Sequence, residues 1–420
     1  MPKLLKKIMS FILLYIVLAV SFIVLIYVSF KLPNERIRGH VAESVKQLKD
    51  EGIGYIPFFS QEGALLDTHT DALMLNIALN KEMFENEGTL SKAMECSFYE
   101  EPSMVEALNT TVQSDDFNNH EYSRYWHGIQ VMLRPLLLFF NYTEIRYILM
   151  IVITTLLGIA IYVIGKRLGI RYIICFSITI SFMYVIIIPM SLQFSAMFII
   201  TLLSIISVCI MESMKKEKLL PYLFFVIGAL STYFDLLTYP LVTLGLPLVL
   251  TLLLENKKDT KLSSLIIKTI EYGMLWGLGY GTLFVTKWIV ASIVLHKNAI
   301  EIALDAFVFR VNGNEQYPVT RIEMLKRNFN CFFVPIAKYI MGVAFVIWIG
   351  LFAFFRKNIS KIKVVLPLLL IAIVPYLWYI IFAGHSSIHF WFTYRIQAVS
   401  VFAVLSAMCL TIKENNNKDA

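Results

Sequence analysis

The stretch Ile8-Met-Ser-Phe-Ile-Leu-Leu-Tyr-Ile-Val-Leu-Ala-Val-Ser-Phe-Ile-Val-Leu-Ile-Tyr-Val-Ser-Phe30 contains no charged residue. A helix of about 20 apolar residues crosses a hydrocarbon core of about 30 Å, so this run is long enough to span a bilayer. Lys3, Lys6 and Lys7 precede it, and no small-x-small cleavage pattern follows before Pro33. A secretory h-region is shorter. Residues 1–30 therefore read as an uncleaved signal anchor that is also the first span.

Similar runs recur outward from this one, at about 144–164, 172–190, 196–212, 219–234, 236–254, 266–286, 339–355, 364–383 and 396–412. The composition agrees: 58% of the 420 residues are hydrophobic and the mean hydropathy is +0.68, above what a soluble domain carries. The expected fold class is all-α, a polytopic transmembrane helical bundle of about ten spans with a long helical extracytoplasmic loop after the first.

Charge placement sets the orientation. Lys166, Arg167 and Arg171 fall in one short connection, Lys215, Lys216 and Lys218 in another, then Lys257, Lys258 and Lys261, then Arg356, Lys357, Lys361 and Lys363. Lys413 and Lys418 lie in the tail, while Ser191–Ser195 and the turn around Asp235 carry no Lys or Arg. Basic residues accumulate on the cytoplasmic side of short loops, so both termini are expected in the cytoplasm and the chain in the cell membrane. The expected organisation is the anchor at 1–30, an extracytoplasmic loop region at 31–143, spans two to seven at 144–286, a second extracytoplasmic loop at 287–338, spans eight to ten at 339–412 and a cytoplasmic tail at 413–420.

The net charge of +7 is used in these clusters, which speaks against a nucleic-acid partner. Frequent Ile, Lys and Asn point to an AT-rich bacterial genome. Cys175, Cys209 and Cys409 lie in apolar runs and read as buried side chains. Cys96 and Cys331 lie in the two long loops, where a bridge is open to them. No Cys/His metal spacing is present.

Within the first loop, Val41, Val45 and Leu48 repeat at helical spacing, and Asp71–Leu79 is a short apolar helix candidate. Leu133–Phe140 contains Pro135 and is too short to span, so it reads as interfacial or re-entrant.

Polar groups collect on the side expected outside: Asp67, His69 and Asp71; then His120, Glu121, Arg124, Trp126, His127 and Arg134; then Asp235; then His385, His389, Tyr394 and Arg395. Polar groups at a bilayer are costly and mark function, but each has a plainer reading. Thr68-x-x-Asp71 matches a capping box; alternatively Asp67 and Asp71, four apart and roughly 6 Å between Cβ atoms on one helix face, raise one pKa towards that of a general base. The aromatic-basic run at 120–134 is either an interfacial belt or a phosphate and sugar site in which Arg124 and Arg134 bind phosphate and Trp126 stacks. Asp235 is a turn residue or a site residue. Arg395 snorkels or clamps a lipid phosphate. His385 and His389 could share a metal but lack a third ligand nearby, so no metal set is assigned.

The strings Leu66-Asp-Thr-His-Thr-Asp-Ala-Leu-Met-Leu75, Tyr122-Ser-Arg-Tyr-Trp-His-Gly128 and Phe234-Asp-Leu-Leu-Thr-Tyr-Pro240 are similar to those of poorly characterised multi-pass proteins of Gram-positive bacteria. The overall plan resembles the GT-C superfamily of membrane glycosyltransferases. These carry an essential Asp or Glu in the long outer loop after the first span. The resemblance implies transfer of a sugar from a polyprenyl-phosphate donor to a cell-surface glycan or other acceptor on the extracytoplasmic face. Membrane lipids, the lipid-linked sugar and the glycan acceptor would be its partners. It implies Asp71 or Asp67 as catalytic base. Arg124, Arg134 or Arg395 would bind the lipid phosphate, and Trp126, His127, Asp235 and His389 would complete the binding site. Family members often place the acidic residue soon after the first span, whereas Asp67 lies well beyond Phe30, and Glu35 is a positional alternative. No nucleotide cofactor is implied, and the chain has no GxGxxG or Walker loop; a divalent cation is compatible with the scheme. The alternatives are a transporter or flippase of a lipid-linked glycan, a membrane acyltransferase, and a non-catalytic assembly subunit. A proton-coupled transporter places ionisable residues at mid-membrane, yet Lys268 and Glu271 lie near a span's inner end.

Overall fold

The computed structural model describes residues 3–52, 62–256, 260–355 and 363–412. Lys257, Lys258, Arg356, Lys357, Lys361, Lys413 and Lys418 of the orientation argument lie outside these. The described chain is all-helical, with no strand. In order, the helices are α1 (Lys3–Phe30), α2 (Asn34–Glu51), α3 (Thr68–Ala78), α4 (Thr89–Glu95), α5 (Met104–Gln113), α6 (Gln130–Leu137), α7 (Tyr142–Leu168), α8 (Ile170–Ser181), α9 (Leu192–Ser213), α10 (Leu220–Phe234), α11 (Leu241–Asn256), α12 (Leu262–Leu295), α13 (Ala299–Asn312), α14 (Arg321–Phe332), α15 (Pro335–Phe355), α16 (Val365–Ile381), α17 (Ala383–Ile388), α18 (Phe390–Thr393) and α19 (Ala398–Thr411).

Each apolar run found in the sequence carries helix. Six segments are long and apolar enough to cross a membrane: Leu4–Phe30, Tyr142–Leu168, Leu192–Ser213, Leu262–Leu295, Lys338–Phe355 and Phe390–Thr411. The other four runs are covered by the shorter helices α8, α10, α11 and α16. The run at 172–190 is broken. Its α-helix stops at Ser181, Tyr184 takes a left-handed φ of 53°, and a 3₁₀ turn over Val185–Met190 ends in Pro189-Met190. A proline inside a continuous helix would lose a backbone hydrogen bond and clash with the preceding turn. The seventh run extends beyond 286, as α12 continues to Leu295.

Ion pairs gather the charged ends. Lys7 meets Glu271 at 2.8 Å, Lys268 meets Glu255 at 2.9 Å, and Arg167 pairs with Glu212. The ends of α1, α7, α9, α11 and α12 that were expected inside thus carry paired charge. α10 and α12 cross in backbone contact: a Cβ on Gly228 would fall 2.0 Å from Trp276 O, and one on Gly279 2.1 Å from Phe225 O. Only glycine permits that approach.

At the opposite end, α2 to α6 form a helical layer whose apolar core, in which Ile37, Val41, Val45, Leu48, Leu73, Met94, Leu108 and Leu133 are buried, is shared with α1, α7, α10 and α12. The helices expected at 41–48 and 71–79 are both present, as α2 and α3. The stretch read at Leu133–Phe140 is the end of the short helix α6, which buries Leu133 and Leu137, and a turn beyond it that leaves Phe139 exposed. Cys96 and Cys331 are both free, so no bridge joins the two long loops.

Candidate functional site

The first turn of α9 is the hub of the polar end. Asp71 on α3 accepts Leu192 N–H at 3.1 and 3.2 Å, Ser191 Oγ at 3.2 Å and Tyr142 OH at 2.5 Å. The Tyr142 hydroxyl in turn accepts Arg146 Nη2 at 2.6 Å, and Arg146 pairs with Glu51 through both carboxylate oxygens. One residue on, Gln193 Nε2 donates to Thr238 Oγ1 at 2.6 Å, and Thr238 donates to Asp235 from its hydroxyl and, at 2.8 Å, from its backbone N–H. Next, the Phe194 carbonyl accepts Tyr239 OH, and its ring lies 4.3 Å beneath the Arg395 guanidinium. Asp71, Asp235 and Arg395, scattered over more than 300 residues of sequence, are thereby tied to three consecutive residues.

The two carboxylates of α3 are used differently. Asp67, not Thr68, is the N-cap, accepting Thr70 N–H at 3.1 Å through Oδ1, while Thr68 Oγ1 donates to Gly52 O at 2.7 Å. The capping box read at Thr68-x-x-Asp71 is therefore replaced by an Asp67 cap, and Asp71 caps a different helix. Asp71 has both oxygens engaged. Asp67 is 2% exposed, and its Oδ2 has no partner among the described residues; Asp235 Oδ2 is the same. Burial raises all three carboxyls. Asp71 rises to about 7, opposed chiefly by the Arg146 charge. Asp235 rises to about 6, opposed by its bonds to Thr238. Asp67 rises too, held back by Thr70 and by the charges of His69 and Arg395. Asp235 joins a raised value of about 6 to a free oxygen, a combination that suits proton transfer.

Beside Asp235 lies a cavity of about 220 Å³ lined by Arg124, Tyr125, Leu237, Tyr280, Trp288 and Arg310 among others. Its walls are apolar and aromatic, and Arg124 and Arg310 are among the residues that line it. Arg124 lies 4.2 Å over the Tyr122 ring, and Arg310 donates to Ala306 O at 2.9 Å; the Nε of each lacks a partner among the described residues. His385 donates to Leu237 O at 2.8 Å, fixing the α17 segment at the cavity wall. The His389 ring lies 4.7 Å from that of His385. Burial and the charges of Arg310 and His69 hold His389 down to about 4, so it is neutral. Gly384 lets α17 touch α13: a Cβ there would fall 2.5 Å from Phe309 O.

The remaining expected site residues serve the fold. Arg134 is fully buried and donates to Ser29 O at 2.8 Å, Leu32 O at 2.9 Å, Asn34 Oδ1 at 2.9 Å and Ala78 O. Its donors are spent on the end of α1 and on α3, leaving it no reach to a phosphate. Trp126 is buried and donates to Leu283 O at 2.8 Å. His127 has a left-handed φ of 52°; its Nε2 donates to Tyr122 O at 3.1 Å, its buried Nδ1 has no partner among the described residues, and burial holds it down to about 3. Arg395 donates to Met183 O and Gly63 O, each at 3.1 Å. It anchors the entry to α3 and lends Asp67 a positive field. His69 is exposed.

Sequence reasoning missed Arg310, Tyr280, Thr238 and Gln193. Arg310 stood in a segment read only as loop, although Ala303, Ala306, Phe307 and Arg310 recur at helical spacing. No three His, Cys, Asp or Glu among the described residues are grouped to hold a metal ion. No family model, curated protein or solved structure matches the chain.

Proposed function

We propose that the chain is a membrane glycosyltransferase of the cell envelope. It crosses the bilayer ten times with both termini inside, and moves a sugar from a polyprenyl-phosphate donor to a glycan acceptor outside. The observation that carries this reading is the pairing, at one end of the bundle, of buried carboxylates having a free oxygen with an apolar cavity whose lining residues include Arg124 and Arg310. Asp67 Oδ2 takes the proton of the acceptor hydroxyl as its oxygen attacks the anomeric carbon. The bond from that carbon to the phosphate oxygen breaks, and the lipid phosphate leaves. Negative charge grows on the phosphate, and preset guanidiniums stabilise it in a water-poor site; Arg124 and Arg310 fill that role. Asp235, held by Thr238, orients the sugar or the acceptor. Asp71 positions α3 against α9.

The test is to delete the gene in its host and determine the sugar composition and linkages of the surface glycans. Loss of one sugar, returned by the intact gene, supports the reading. Loss of the glycan with an accumulated lipid-linked precursor on the inner leaflet would favour a flippase, and unchanged glycans and lipids would contradict both.

A further inference from the structure

Far from the carboxylates of α3, two thiols touch. Cys175 on α8 and Cys409 on α19 hold their Sγ atoms 3.4 Å apart, and neither is in a disulfide. They are separated by 234 residues of sequence, so the fold alone brings them together. An S–S bond is about 2 Å long, so the pair closes with a small movement of side chains. Elsewhere the same two helices are joined by Arg395, just before α19, which donates to the carbonyl of Met183, just after α8, at 3.1 Å.

Both thiols line a cavity of about 490 Å³ between α8, α15 and α19. Its walls are chiefly apolar, with Ile347, Trp348 and Phe355 supplied by α15 and Arg171 by α8. That volume is within the range of about 300–1,000 Å³ typical of small-molecule pockets. α15 screens the cavity in an unusual way. No residue of Lys338–Phe355 is buried inside the protein, although Trp348 Nε1 donates to Thr411 Oγ1 at 2.8 Å and so joins α15 to α19. A helix this apolar and this uncovered faces hydrocarbon. The lining and the screening helix therefore both favour a lipid-soluble visitor. The rings of Trp348 and Phe355 offer faces for stacking, and the guanidinium of Arg171 carries several N–H donors that suit a ring oxygen.

We propose that Cys175 and Cys409 are a redox-active pair, and that the cavity beside them takes the ring of a membrane quinone, which oxidises them to a disulfide joining α8 to α19. Both S–H bonds break and one S–S bond forms. The two electrons and two protons released pass to the quinone, which leaves as the hydroquinone. On the orientation proposed above, this end of the bundle faces the cytoplasm, where disulfides are rare and those that form are usually catalytic or redox-sensing. The pair does not depend on the transferase reading.

The experiment uses the full chain, reduced, in anaerobic nanodiscs, with decylubiquinone as the probe. After denaturation, alkylation of Cys175 and Cys409 should be lost and their peptides should be found joined. One hydroquinone should appear per disulfide, while Cys96, Cys209 and Cys331 stay open to alkylation. Water-soluble glutathione disulfide should not replace the quinone. Ala344→Trp fills the cavity from the uncovered helix α15 and should abolish oxidation by the quinone. If that variant does not insert, an azido-quinone added to the unaltered protein should label the stretches of α8, α15 or α19 that line the cavity. The proposal is overturned by thiols that stay open to alkylation under excess quinone, or by loss of all five cysteines alike. Equal oxidation by glutathione disulfide or in Ala344→Trp, or labelling confined to other helices, overturns it too.

Discussion

The carboxylate of Asp71 caps a helix that begins 121 residues further along the chain, accepting the backbone N–H of Leu192. The first N–H groups of a helix have no partner within it, and an acidic side chain there also complements the helix dipole. Here that cap ties the layer of α2 to α6 to the apolar bundle, and it leaves Asp67, one turn earlier, as the α3 carboxylate with a free oxygen.

This relationship sets a stability prediction. Tyr142→Phe removes the phenol that donates to Asp71 and accepts from Arg146. A hydrogen bond to a charged group contributes about 1.5–3 kcal/mol, so the unfolding midpoint in detergent should fall accordingly. Asp71→Ala should cost a similar amount alone but clearly less in the Tyr142→Phe background, because contacting residues couple by about 0.5–3 kcal/mol. Additive losses would mean that the two do not act as a unit.

The buried carboxyls give the fold a pH dependence of defined sign. Asp71 and Asp235 rise from 3.8 to about 7 and about 6, and Asp67 rises with them. Between the ordinary value and the raised ones the folded state binds more protons than the unfolded, so stability falls as pH climbs through that window. Thermal unfolding should occur at a higher temperature near pH 5 than at pH 7.5. Asp235→Asn, which titrates nothing, should flatten the slope.

Two arginines of the same polar end should respond differently to the same change. Arg134→Gln strands the carbonyls of Ser29, Leu32 and Ala78, each buried unpaired acceptor costing about 1–3 kcal/mol; folded protein in the membrane should drop steeply. Arg310→Gln gives up a bond to Ala306 in its own helix and the contact with the Tyr125 side chain. That variant should accumulate normally and lose activity by about 10²-fold or more, the scale seen when one charge-stabilising donor is removed. Membrane protein level and product formation, measured together, distinguish the two.

Sidedness has its own check. His69 is exposed at the polar end, and Cys96, Cys175, Cys209 and Cys331 are buried. A membrane-impermeant maleimide added to intact cells should label His69→Cys. Labelling only after lysis would place α3 in the cytosol.

Much of this was legible in the sequence because hydrocarbon imposes a local rule: an apolar run of fixed length becomes a helix, and α1, α7 and α9 follow it. The rule failed where a local breaker acted, at Pro189. The site was legible as a set of residue types on one side of the alternating loops, but not as an assignment of jobs. Arg134 and Arg124 look alike in the sequence; one is enclosed by carbonyls from α1 and α3, the other stands at a cavity mouth. That difference depends on which distant backbone segments lie nearby. Thr238 and Gln193, ordinary in their strings, gained meaning only when 192–194 and 235–239 met.

The most direct test of the central claim is complementation of the deletion strain with Asp67→Asn, with the variant's membrane level confirmed and the surface glycans analysed. Loss of a general base typically costs about 10²–10⁴-fold in rate, so the account predicts a normally inserted protein and a glycan still lacking its sugar. Full restoration of the sugar by Asp67→Asn, and again by Asp67→Asn with Asp235→Asn, would contradict it.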